Sequence, residues 1–162
     1  MRIDAMIEVP QGSRNKYEMD YEVGRIRLDR TLFTATSYPS DYGFFPGTLA
    51  EDGEPLDVLV LVESPTFPGC VISVRPVAVF WMRDEGGPDA KVLAVPADDI
   101  RQMSMQDLAD VPEFLLGEIS HFFNVYKDLE PGKQSEARGW QGRREAEATI
   151  EDALRRAGEH SA

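Results

Sequence analysis

Residues 71–95 read VISVRPVAVFWMRDEGGPDAKVLAV, two apolar runs on either side of the acidic stretch Arg83–Lys91. Val71–Met82 and Val92–Val95 are rich in β-branched and aromatic residues, and Gly86-Gly87-Pro88 supplies a chain reversal between them. The segment therefore predicts strand, turn, strand. The same arrangement stands upstream in EDGEPLDVLV, residues 51–60, where an acidic turn precedes the apolar run Val58–Val62. Closer to the N-terminus, Ile3, Ala5, Ile7 and Val9 alternate with Asp4, Met6 and Glu8, and Tyr17 and Met19 alternate with Lys16, Glu18 and Asp20. Tyr21–Gly24 reads as a turn into Arg25–Asp29, where Ile26 and Leu28 face away from the charges, completing a hairpin. Many short strands with turns between them predict a small sandwich or a closed barrel.

Beyond residue 96 the period changes. Asp110 with Glu113 has the form of a capping box, Pro112 falls in a first helical turn, and Leu115, Ile119, Phe122 and Tyr126 follow along one face. A second helix is expected with Ile150, Ala153, Leu154 and Ala157 on one face, after the connector Glu130-Pro-Gly-Lys133. The expectation is one domain over 1–162, strand-rich over 1–96, with helices at about 110–127 and 144–157.

Charge narrows the function. A net charge of −12 argues against nucleic acid or an anionic membrane surface as partner, since both need excess positive potential. The longest apolar run, Val77–Met82, is far shorter than a membrane span, and the charged N-terminus does not resemble a signal peptide. The expected location is the cytoplasm. Cys70 is the single cysteine, so no internal disulfide can form; within CVISV it reads as a buried thiol.

The two acidic turns carry the chemistry. Asp52 and Asp57 lie five residues apart, as do Asp84 and Asp89. Crowded carboxylates repel unless hard cations neutralise them, and Mg2+ takes a few carboxylates together with water and phosphate oxygens. An EF-hand does not fit, because Gly53 and Pro55 fall at the wrong positions; an ordinary solvated turn is the simpler alternative for either segment. Lys16, Arg30, Lys91 and Lys127 stand near these turns, with Tyr126 beside Lys127, as a phosphate-rich ligand would require. His121 and His160 read as structural or solvent-exposed.

In order and spacing, IEVPQGSRNKYE, LDR, SYPSDYGFFPGTL, EDGEPLDVLV, DEGGPDAKVLAVP and HFFNVYKDLEPGK resemble the soluble family I inorganic pyrophosphatases of bacterial type. The resemblance implies an α+β, mainly β fold: a five-stranded OB-type closed barrel with additional hairpin strands and two flanking helices. It implies hydrolysis of pyrophosphate to two phosphates with several Mg2+ ions per site, Mn2+ or Zn2+ being substitutes, in a homo-oligomer, a hexamer for bacterial members. On this resemblance Asp52, Asp57 and Asp89 hold the tightly bound metals, and Asp84 joins Asp89 on metal brought with substrate. Glu8 and Glu18 reach metals directly or through water. Lys16, Arg30, Tyr42, Lys91, Tyr126 and Lys127 match phosphate-contacting positions. Glu54 departs from the family's aspartate at a position associated with the attacking water, so the general base is Glu54 or Asp89. Gln134-Ser135 is a milder departure, bearing on packing.

The mechanism implied is direct attack by metal-activated water, with no covalent enzyme intermediate. Two other classes remain. One is a nucleic-acid-binding OB module, disfavoured by the charge and by the lack of a basic aromatic strip. The other is a catalytically weak or silent metal- or pyrophosphate-binding relative, for which Glu54 would be the mark.

Overall fold

Residues 1–161, which the computed structural model describes, form the strands β1 (Ile3–Val9), β2 (Asn15–Asp20), β3 (Arg25–Thr31), β4 (Asp41–Phe44), β5 (Asp57–Val60), β6 (Val71–Asp84), β7 (Gly87–Pro96) and β8 (Ser135–Gly142). The α-helices are α1 (Glu113–Val125) and α2 (Arg143–Ser161), with short 3₁₀ turns at Ile100–Gln102 and Leu108–Asp110.

β6 and β7 pair antiparallel from Asp84↔Gly87 to Val74↔Pro96, which bears out the order strand, turn, strand but shrinks the turn from Arg83–Lys91 to Glu85-Gly86, since Arg83, Asp84 and Gly87–Lys91 are paired strand residues. The sheet runs β1-β4-β5-β7-β6, and a further β1–β6 pairing closes it into the expected five-stranded barrel. β8 is laid on the outside edge of β6, and β2 with β3 forms a separate two-stranded ribbon. At the β1–β4 crossing, a Cβ on Gly43 would lie 1.9 Å from the Met6 carbonyl oxygen, so only glycine admits this approach.

The unbroken apolar runs are explained by burial on both faces. Leu59, Phe80, Leu93 and Val95 share one core with Ile119, Phe122 and Phe123 of α1. Their neighbours Val58, Val60, Val79, Val92 and Ala94 point into a second core, which includes Ala146, Ile150 and Ala153 of α2.

Several local expectations are corrected. Asp110 does not cap α1: its carboxylate accepts from Gln106 N–H at 2.9 Å and Asp107 N–H at 3.0 Å, bracing the preceding 3₁₀ turn. Pro112 is the residue at the N-terminus of α1, without a side-chain cap. Strand structure does not stop at residue 96, because SEARGWQG forms β8. This segment has no apolar alternation, and pairing with β6 together with Trp140 against Phe80, ring centroids 4.9 Å apart, places it. Leu154 is exposed although Ile150 and Ala153 are buried. Leu28 is exposed as well, since the β2–β3 ribbon has no layer over that side. Cys70 is half-buried, not enclosed.

Candidate active site

Both acidic turns open onto one cavity of about 320 Å³. Its wall includes Glu8, Glu18, Asp52, Glu54, Asp57, Asp84 and Asp89 together with Lys16, Tyr42, Lys91, Tyr126 and Lys127. Arg30 is the one candidate residue outside that lining. Its guanidinium is held by Asp29 and by buried Glu130, with Nη2 donating to Glu130 Oε2 at 3.1 Å. Arg30 Nε lies 3.0 Å from Glu130 Oε1 but off the hydrogen-bond direction, so the Nη2 contact fixes the pair.

Strand register builds the centre of the site. The parallel β5–β7 pairing sets Asp57 beside Lys91, and β4 pairs with β5 so that Tyr42 lies diagonally across from Asp57 on the same face. Lys91 Nζ donates to Asp57 Oδ2 at 2.8 Å and to Tyr42 Oη at 2.7 Å, and lies 3.1 Å from Asp89 Oδ2. Tyr42 Oη in turn donates to Asp57 Oδ2 at 2.7 Å. Burial works against the charge on Lys91, whose side chain is 3% exposed, yet Asp57 and Asp89 outweigh it and hold the ammonium well above the ordinary lysine range.

The first acidic turn is braced by its own backbone. Asp52 Oδ1 accepts from Glu54 N–H at 2.9 Å, Ala50 N–H donates to Glu54 O at 2.7 Å, and Gly53 takes φ +88°, a conformation glycine adopts without strain. Glu54 is left on the exposed rim of the cavity. In the second turn, Asp84 Oδ1 accepts from Gly86 N–H at 2.8 Å. On β2, Lys16 and Glu18 share a face, as expected, and pair at 2.5 Å.

Two carboxyls register the crowding. Burial, with added repulsion from Asp57 and Glu18, raises Glu8 to about 7, against the lowering effect of the Met19 N–H it accepts at 2.7 Å. Burial likewise raises Asp89 to about 6, opposed by Lys91 and reinforced by Asp57 and Asp52. Carboxylates whose ionisation carries such a cost are suited to a divalent cation, which removes it. Among the described residues no three acidic side chains close around a single point.

The tertiary structure adds residues that the motifs did not single out: Tyr38 and Tyr21 in the cavity wall, Glu130 behind Arg30, and Glu85, 3.2 Å from Lys127. Aromatic residues beside the motifs were the available signal for the two tyrosines; nothing local marks Glu85 or Glu130 as partners of those cations. His121 and His160 are exposed, away from the cavity lining. A second, more apolar cavity of about 270 Å³ backs onto Asp52 and Asp89 between Trp81 and α2. Its one lining cation, Arg156, donates to Leu49 O at 2.8 Å and is outnumbered by the carboxylates of Glu51, Asp52, Asp89, Glu145 and Asp152, so the cavity suits a polyanion poorly.

Fold and cavity together define an OB-type barrel hydrolase whose site combines carboxylates with ammonium groups. A family model described as inorganic pyrophosphatase matches residues 5–158. The chain is 58% identical over 156 residues to an inorganic pyrophosphatase of Streptomyces coelicolor, covering 96% of each chain. It is 57% identical over 148 residues to one of Leifsonia xyli subsp. xyli, covering 91% of each. The crystal structure of inorganic pyrophosphatase from Thermus thermophilus superposes with a TM-score of 0.95 at 49% identity, over 97% of this chain and 91% of that one. The chain belongs to the inorganic pyrophosphatase family, and its activity is the hydrolysis of pyrophosphate to two phosphates.

Proposed function

We propose that this cavity hydrolyses pyrophosphate by direct attack of water, with Mg2+ as the working metal. The observation that carries the reading is the convergence of seven carboxylates, three lysines and two of the matched tyrosines on one wall. Asp52, Asp57 and Asp89 would hold the resident metal, Asp84 with Asp89 the metal arriving with substrate, and Glu8 and Glu18 would reach metal directly or through water. What the metal supplies when bound is charge neutralisation and a more acidic water.

The remaining work falls to the chain itself. Lys91, fixed between Asp57 and Asp89, and Lys127 neutralise charge on the phosphoryl groups, while Lys16, Tyr42 and Tyr126 orient phosphate oxygens. Arg30 joins them from its place against Glu130. Glu54 takes the proton of the attacking water, with Asp89 as the alternative base. No nucleophilic side chain is required.

Purified protein is expected to release phosphate from pyrophosphate with Mg2+ and to lose that activity in excess chelator; full activity in chelator would overturn the metal assignment. Mn2+ or Zn2+ are proposed as substitutes, measurable by add-back to the chelated protein.

A homohexamer in the cytoplasm is proposed as the working form. Phe114, Ile100, Leu129 and Phe67 are exposed apolar side chains of the kind an assembly covers, and the lone Cys70 suits a reducing compartment. Among the described residues no helix is long and apolar enough to cross a membrane. Light scattering is expected to give six times 18.1 kDa, and a species of 18.1 kDa alone at working concentration would refute the assembly.

A further inference from the structure

Glu85 sits at the tip of the β6–β7 turn, between two lysines. Its Oε1 lies 3.2 Å from Lys127 Nζ and 3.3 Å from Lys133 Nζ, and its Oε2 lies 3.5 Å from Lys127 Nζ. Lys127 is buried and lines the reaction cavity, whereas Glu85 and exposed Lys133 stand outside that lining. The two lysines belong to one short loop, in which Glu130 N–H donates to Lys127 O at 2.9 Å and Lys133 N–H to Glu130 O at 3.2 Å. A single carboxylate is thus shared between an ammonium facing the cavity and one facing solvent.

An ammonium in a partly dehydrated cavity is unfavourable without a counter-charge. Lys127 has Asp84 at 3.9 Å, but Glu85 is nearer. A partner that held Lys127 too firmly would compete with phosphate; one that is itself shared can let go.

We propose that Glu85 is a positioning residue acting as an exchangeable counter-ion: it holds Lys127 while the cavity lacks phosphate, yields it to a phosphate oxygen, and is then retained by Lys133. This rests on the reading above that Lys127 meets phosphate.

The experiment measures inorganic phosphate binding by calorimetry, and KM and kcat for pyrophosphate, on the Mg2+-loaded protein. Glu85→Gln is expected to tighten phosphate binding and lower KM about three-fold, and Lys133→Gln to weaken binding and raise KM about three-fold, as for a partly exposed ion pair. A general electrostatic field would give the same opposite signs, so the double variant decides. If Lys133 acts through Glu85, Glu85→Gln/Lys133→Gln behaves like Glu85→Gln alone. Return of the double variant to the wild-type value overturns the inference, as does a shift of both single variants in the same direction or no shift in either. Lys127→Gln separates the layers. Unchanged phosphate binding in that variant overturns the role of Lys127 itself, whereas weakened binding without the Glu85/Lys133 pattern overturns only the counter-ion exchange.

Discussion

Asp57→Asn is expected to reduce kcat/KM by about 10²-fold or more while leaving the barrel folded. Asp57 Oδ2 accepts from both Lys91 and Tyr42, at 2.8 and 2.7 Å, and is one of the proposed metal ligands. Asparagine keeps the shape and removes the charge. Lys91 would be left with Asp89 as its nearest carboxylate, at 3.1 Å, and would be drawn towards a second proposed ligand. Two ligands are thereby disturbed by one substitution. The fold should survive because Asp57 stands at the start of β5 with 27% of its side chain exposed, outside both apolar cores. Steady-state kinetics beside circular dichroism checks this, and near wild-type rates at saturating Mg2+ would contradict it.

Glu54→Gln is expected to lower kcat by about 10²–10⁴ with little change in KM. The substitution keeps the size of the side chain and removes its basicity. Glu54 carries its carboxylate one methylene further from the backbone than aspartate, and the braced turn leaves it on the exposed rim of the cavity. Asp89 is the competing base. Burial raises Asp89 to about 6 even against the lowering effect of Lys91, 3.1 Å away. We favour Glu54 because Asp89 is already committed to the ammonium and to the proposed metals. Kinetics of Glu54→Gln beside Asp89→Asn separates them: a change of only a few-fold in Glu54→Gln would move the base to Asp89. Wild-type protein that binds pyrophosphate without turning it over would instead favour the silent relative.

Much of the architecture was legible locally. The period of two in Ile3–Val9 gave buried Ala5, Ile7 and Val9, and the runs Val58–Val62 and Val92–Val95 marked strands covered on both faces. Glycine and proline marked the reversals between them, and the motif resemblance carried the barrel and the reaction. Local signals failed where a segment owes its conformation to a distant partner. Ser135–Gly142 is a strand because β6 offers it an edge.

For the site, the sequence alone determined which residues could do the chemistry: carboxylates grouped on two turns, with lysines and tyrosines nearby. Tertiary structure alone decided who touches whom. Lys91 reaches Asp57 across 34 positions, Lys127 reaches Glu85 across 42, and Arg30 reaches Glu130 across 100. Spacing along a chain reports which faces of a helix or strand are alike, because those repeat every few residues. Ion pairs between strands depend on register and barrel closure, which are set by the packing of both cores at once and leave no periodic trace at the residues that meet.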